Sequence, residues 1–295
     1  MPGGGASGGL AARDPPARNS GCYTRSAMVV HLYAQCWNDE GMLPFFFRHY
    51  DGLVDRYFIY DDGSTDSSWS LLHAHPNVEA RRFVRSVPES FALSEQAFSN
   101  QCWKASKAEA DWVVVTDLDE HLCHPSWRAY LARCTDDGVT AIPALGFQMV
   151  SDSPPKAGER LSVDHPIGEP WVNMMKLSIF DPAAITDINF APGRHGADPQ
   201  GRVRVPPVDE MLLLHYKYMG FEETHRRHQR LREGLGSLDV ARGWGHKYSW
   251  SAEELRRDWI RSASRAVDIR TLGENPAAHY PTSPWWQQYR GPSSE

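Results

Sequence analysis

Residues 112–120 read Trp-Val-Val-Val-Thr-Asp-Leu-Asp-Glu. A large aromatic followed by three β-branched residues predicts a buried strand over Trp112–Thr116. The strand stops at Asp117-Leu118-Asp119-Glu120. An acidic cluster after a buried strand falls at the carboxyl edge of a sheet, where open α/β sheets bind ligands. In an extended segment, residues i and i+2 point to one side, so Asp117 and Asp119 are expected to converge. Two carboxylates in that position repel unless a cation lies between them, and hard oxygen donors suit Mg2+ or Mn2+.

The flanking sequence repeats the strand-then-helix pattern. Upstream, Met28–Ala34 predicts a strand and Glu40–Tyr50 a helix with aromatics at helical spacing. Arg56–Tyr60 predicts a second strand, ending in Asp61-Asp62-Gly63-Ser64-Thr65-Asp66. Ser64–His73 predicts a helix, with Ser64 or Asp66 as N-cap. Ala80–Val84 follows as a strand, then Leu93–Ala110 as one helix with Phe98, Cys102 and Ala105 on a face. Pro125–Cys134 is a helix with Pro at its first position. This alternation predicts a mostly parallel α/β sheet with helices on both faces. Val139–Val150, Met174–Phe180 and Met211–Tyr218 are strands with little helix between them, which predicts antiparallel additions in the second half. Phe221–Gly234 and Ser251–Ala266 are polar amphipathic helices that close the fold.

Composition removes several function classes. The net charge is −6, without the basic stripe of a nucleic-acid binder. No run of about 18 apolar residues predicts a membrane span, although peripheral membrane contact stays open. Five widely spaced Cys, with no C-x-x-C, fit a reducing, cytoplasmic setting better than a disulfide framework or a zinc cluster. Residues 1–26 hold six Gly and three Pro and no Val, Ile, Phe or Trp, so they are expected to be a disordered tail. The chain carries 11 Trp. Trp103 and Trp112 read as core. Trp171, Trp244, Trp250, Trp285 and Trp286 stand in loop-like surroundings and are candidates for stacking a sugar near an acceptor cleft.

YDDGSTDSS after one strand and VVVTDLDEHL about 50 residues later resemble a family-2-type glycosyltransferase of the GT-A fold, in the soluble subgroup with a D-x-D-E metal motif. QCWNDE (35–40), KLSIF (176–180), GRHG (193–196) and LHYK (214–217) resemble further segments of that family. The likeness covers roughly residues 28–230. It implies a Rossmann-like GT-A domain over 27–220, a helical extension over 221–268 on the same domain and an irregular tail over 269–295, part of which docks on the body.

The resemblance also implies roles. Asp61 matches the nucleotide-binding Asp, with Asp62 and Asp66 assisting or only shaping the turn. Asp117 matches the first D-x-D acid, near ribose and diphosphate and a possible metal ligand. Asp119 matches the direct metal ligand and His215 a further one. Lys217 faces the diphosphate if its segment is extended, and Lys217 or Arg226 would stabilise the leaving group. The cofactor is Mn2+ or Mg2+. The donor is a UDP-, GDP- or dTDP-linked sugar, and the acceptor a glycan, lipid or small molecule. An inverting enzyme needs a general base near the acceptor hydroxyl. Glu169, in a Gly168-Glu169-Pro170-Trp171 loop, ranks first, with Asp164, Asp187 and His195 as the others.

Other readings make different demands. A D-x-D phosphatase needs Thr or Val where His121 stands. A nucleotidyltransferase needs a Gly-rich loop after the first strand, but residues 28–45 contain only Gly41. A catalytically inactive GT-A scaffold would have no need of both acidic motifs and His215. The basic segment His225–Arg230 reads as a solvated helix face, or as a phosphate-facing wall.

Overall fold

The computed structural model describes residues 28–290. The tail expected over 1–26 lies outside the described residues.

The chain opens with β1 (Val30–Cys36), α1 (Leu43–Tyr50), β2 (Arg56–Asp61), α2 (Ser68–Ala74), β3 (Val78–Arg82) and α3 (Phe91–Gln101). It continues through β4 (Trp112–Val115), β5 (Glu120–Cys123), α4 (Trp127–Asp136) and β6 (Ala141–Ser151). Next come α5 (Leu161–Asp164), β7 (Ile167–Pro170), β8 (Lys176–Phe180), β9 (Ile185–Asp187) and β10 (Gln200–Gly201). The last elements are β11 (Leu212–Met219), α6 (Phe221–Glu233), α7 (Ser237–Ala241), α8 (Ala252–Arg265) and β12 (Val267–Asp268).

The expected α/β architecture is present. β4, β1, β2 and β3 lie side by side and parallel. β8 then pairs antiparallel with both β4 and β6, and β7 and β12 extend that side. β11 runs parallel to β6 and antiparallel to β5. The chain builds outward from β1 to β3 and returns to β4 on the other side of β1. That reversal is a topological switch point, the place where open α/β sheets bind ligands beyond the strand ends.

Alternation along β1 explains the layering. Val30, Leu32, Ala34 and Cys36 face a core shared with α1 and α4, while Tyr33 faces the opposite core with Trp103 and Phe180. Apolar burial of this kind stabilises by about 25 cal/mol per Å². α1 contributes Phe46, Phe47 and Tyr50 to the first core, which fixes the loop between β1 and α1 against the sheet edge.

Several local expectations are corrected. Leu93–Ala110 is not one helix: α3 ends at Gln101 and a 3-10 turn covers Cys102–Ser106. The buried face of α3 is polar (Ser94, Glu95, Ser99), because it packs against charged loops at the site. Glu120–Cys123 and Ile167–Pro170, read as motif and loop, are short strands held by β11 and β6. Near the C-terminus, Trp286 is fully buried and donates Nε1–H to Asp209 Oδ1 at 2.7 Å. Trp285 and Trp286 therefore anchor this segment to a core with Met175 and Phe147. No helix among the described residues is long and apolar enough to cross a membrane.

Candidate active site

Cys36, Asp61 and Arg82 sit side by side at the ends of β1, β2 and β3. The loops beyond them are sewn together. Asn38, at φ 53, accepts from Thr65 N at 2.7 Å on its side-chain oxygen, and its own N–H donates to Ser64 Oγ at 2.8 Å. Asp66 accepts from Ser68 N and Glu40 N (2.9 and 3.1 Å), so its role is to shape the turn. Asp61 Oδ2 accepts from Gly63 N and Ser64 N at 3.1 and 3.2 Å and pairs with Arg82. Gly63 turns this corner at φ 76, which a Cβ would strain. Asp61 Oδ1 is buried with no hydrogen-bond partner among the described residues. A buried, unpaired carboxylate oxygen is costly unless a ligand donates to it. Asp62 points elsewhere: it pairs with Arg85 at 2.6 Å, and Arg85 also donates to Gly234 O.

The D-x-D segment is not extended. Glu120 N donates to Asp117 O at 3.0 Å, closing a turn. The two carboxylates therefore engage different cations instead of converging. Asp117 lies 3.0 Å from Arg194. Asp119 lies 2.8 Å from Arg227 and 3.3 Å from His215 Nε2. Burial opposes ionisation of Asp119, but Arg227, His215 and Lys217 together hold its carboxyl well below the usual range.

Behind the turn lies a buried ionic network. Glu120 is 1% exposed and pairs with Lys176 at 2.5 Å and Arg194 at 2.6 Å. Burial alone would raise the Glu120 carboxyl, yet Arg194 and Lys176 bring it far below its ordinary value. Arg194 also donates to Val115 O at 2.7 Å and lies 3.8 Å from Glu95. Its φ of 54 is unusual for a side-chain-bearing residue, and the surrounding ion pairs hold that conformation.

His215 is oriented from behind. The Gln148 amide nitrogen donates to His215 O and Met149 O (3.3 and 3.1 Å), so its oxygen must accept, and His215 Nδ1 lies 2.8 Å from it. With Nδ1 committed to Gln148, Nε2 faces Asp119 Oδ2 at 3.3 Å, which puts an imidazole nitrogen and a carboxylate oxygen side by side. A metal-ligating His is commonly held in this way, its other ring nitrogen bonded to an amide or carboxylate behind it. The donor set of one carboxylate and one imidazole fits Mn2+ or Mg2+, which keep waters and take substrate phosphate oxygens. Among the described residues, no group of three or more His, Cys, Asp or Glu is placed to hold a metal ion, so water and substrate oxygens would have to complete the coordination of this pair.

The remaining candidates separate. Cross-strand register sets Glu120, His215, Gln148 and Glu169 in one row across β5, β11, β6 and β7. Such partners share a sheet face. Glu169 is bonded by the Ser262 hydroxyl and lies 3.5 Å from Arg265, at the wall of a cavity. Trp171 stacks with His215 at a ring separation of 6.2 Å. Lys217 donates to Tyr248 Oη at 2.8 Å, so here it serves a phenol rather than an open anion site. His195 Nδ1 lies 2.8 Å from Asn173 O, with the residue exposed at the surface. Asp187 pairs with Lys104 at 2.5 Å on the separate β9–β10 ribbon. Asp164 accepts from Arg160 N at 2.7 Å in α5, and Arg226 pairs with Glu223 on the exposed side of α6.

Three residues at the site were not singled out from the sequence. Arg227 lies in the segment read as a solvated helix face or a phosphate-facing wall, with no role of its own; Thr224, Arg227 and His228 form the inner face of α6. Their i, i+3, i+4 spacing was the available signal. Arg194 was visible only as part of GRHG. Asp39 lies 3.4 Å from Arg227, and burial pushes its carboxyl up despite that partner. Trp244, Trp285 and Trp286 do not line the cavity beside Glu169.

No family model matches the sequence, and no curated protein is similar to it at a significant level. Solved structures show distant similarity. Staphylococcus aureus TarS 1–349 in complex with UDP-GlcNAc is 9% identical over 79% of this chain and 72% of that chain, with a TM-score of 0.36. TarS 1–349 alone is 10% identical over 68% of this chain and 64% of that one, at a TM-score of 0.35. Glucosyl-3-phosphoglycerate synthase from Mycobacterium tuberculosis, with Mn2+, UDP-glucose and glycerol 3-phosphate, is 20% identical over 57% of this chain and 62% of that chain, at a TM-score of 0.34.

Proposed function

We propose that the protein is a divalent-cation-dependent glycosyltransferase that moves a sugar from a nucleoside diphosphate donor to an acceptor hydroxyl with inversion. The observation that carries this reading is the row Glu120–His215–Gln148–Glu169 across four strands. Neighbouring strands lie about 4.8 Å apart, so the Glu169 carboxylate stands two strands from His215, roughly 10 Å away across the sheet. That leaves room for a donor sugar between leaving group and base.

In this reading the unpartnered Asp61 Oδ1 receives a donor hydrogen from base or ribose. Asp117, held by Arg194, faces the ribose and diphosphate. Asp119 and His215 hold Mn2+ or Mg2+, which when bound supplies Lewis-acid stabilisation of the departing diphosphate. Glu169 takes the acceptor hydroxyl proton as that oxygen bonds the anomeric carbon from the face opposite the diphosphate. The carbon–phosphate-oxygen bond breaks, and the nucleoside diphosphate leaves with the electron pair. Glu169 is preferred over His195 and Asp187 because it alone of the three lines the cavity.

The test is nucleoside diphosphate release from UDP-, GDP- and dTDP-sugars with Mn2+, comparing wild type with Asp119→Asn and Glu169→Gln. The reading expects loss of turnover in both, with donor binding retained in Glu169→Gln. Full turnover by Asp119→Asn would overturn it.

A further inference from the structure

A cavity of about 260 Å³ lies behind the cation-ligand pair, separated from it by Gln148 and Trp171. Gln148 and Trp171, the two residues that flank His215, also form its wall. Its interior is acidic, but those charges are already answered. Asp258, 7% exposed, is bonded by the Tyr218 hydroxyl at 2.5 Å, by Lys247 at 3.1 Å and by Arg261. Glu169 is held by Ser262 and Arg265.

At the mouth, Arg261 and Arg265 pair with Asp258 and Glu169 yet leave 56% and 64% of their side chains exposed to a further anion. A second concavity of about 360 Å³ shares Asp258 and Arg261 and adds Trp250, Glu254 and Arg257. Glu254 is committed to the start of α8, where Ser251 N and Oγ donate to it at 2.8 Å each. Arg257 lies 3.3 Å from the exposed Glu253. Arg257, Arg261 and Arg265 follow one another at four-residue intervals, about 6 Å each along one side of the helix. Lys247 lies between two aromatic faces, 5.3 Å from the Trp171 ring and 5.0 Å from the Trp250 ring. Flat indoles beside exposed guanidinium forks suit a sugar ring that carries a planar or tetrahedral anion.

Resting on the transferase reading above, we propose that this cavity is the acceptor subsite and that its acceptor is an acidic saccharide. Its carboxylate or phosphate lies against Arg261 and Arg265. Its ring packs on Trp171, and its reacting hydroxyl faces Glu169. The arginine ladder continuing to Arg257 gives room for a second acidic unit.

The test is calorimetry on the full chain with UDP and Mn2+ present, titrating glucose, glucuronate and glucose 6-phosphate. The expected result is at least tenfold tighter binding of an acidic sugar than of glucose, the two acidic sugars separating carboxylate from phosphate. Arg261→Gln combined with Arg265→Gln abolishes that difference, while UDP binding is retained and unfolding stays cooperative even if the loss of the Asp258 and Glu169 partners lowers the melting temperature. Equal binding of glucose, no sugar binding at all, or an unaltered preference in the double variant overturns the proposal. Absence of UDP binding to the wild type would instead overturn the transferase reading.

Discussion

Arg227→Met is the most informative perturbation of the cation site. The guanidinium lies 2.8 Å from Asp119 and 3.4 Å from Asp39, and both carboxylates are largely buried. Removing one partner of a buried pair costs about 3–5 kcal/mol, because the other charge is left without compensation. At about 2–4 °C per kcal/mol for a domain of this size, the melting temperature should fall by roughly 6–20 °C. The same bond competes with a metal for Asp119 Oδ2. A charge-assisted hydrogen bond contributes about 1.5–3 kcal/mol, so Arg227 should weaken binding of free Mn2+ by roughly 10- to 150-fold. Without nucleotide, Arg227→Met should therefore bind Mn2+ more tightly than wild type, and Mn2+ should restore part of its lost stability. Arg227→Lys keeps the charge but loses the fork, and should fall between the two. Differential scanning fluorimetry and Mn2+ titration by electron paramagnetic resonance read both effects. Equal Mn2+ affinity in wild type and Arg227→Met, or an unchanged melting temperature, would refute the reasoning.

Two further outcomes follow from the buried groups. Burial lowers the His49 pKa to about 4 and the His228 pKa to about 3, below the unfolded value near 6.5. Their stability contribution is complete above pH 6.5 and is lost as pH falls through the folded values, with Asp119 and Glu120 adding their loss below about pH 4. The urea midpoint should thus hold from pH 8 to 7 and decline from 6.5 toward 4; a flat profile to pH 4.5 contradicts this. Arg194→Met should cost about 3–5 kcal/mol by urea unfolding, because Glu120 and Glu95 stay buried without it, and Arg194→Lys should recover only part. A loss under about 1 kcal/mol would count against the network.

The parallel half of the fold was legible because burial on both faces leaves a plain mark: runs such as Val113–Val115 have no competing helical reading. The acidic motifs were legible because each follows such a run. The D-x-D geometry was not, since a local turn between Asp117 and Glu120 overrides extended alternation. The cations that answer those acids come from far along the chain. Arg194 and Arg227 reach the turn only through tertiary packing, and no spacing in the sequence links them to Asp117 or Asp119. Glu169 was singled out, but its strand was not, because Ile167–Pro170 is short and contains Pro at its end. Register with β6 is what sets it in line with His215.

The central claim is that Asp119 and His215 hold a divalent cation together with a nucleoside diphosphate. Isothermal titration of UDP, GDP and dTDP into wild type, with and without Mn2+, tests it most directly, with Asp119→Asn and His215→Ala as comparisons. At least one nucleotide should bind, Mn2+ should strengthen it at least tenfold, and both variants should lose the Mn2+ dependence while still unfolding cooperatively. No nucleotide binding by wild type, or Mn2+ enhancement that survives in Asp119→Asn, would contradict it.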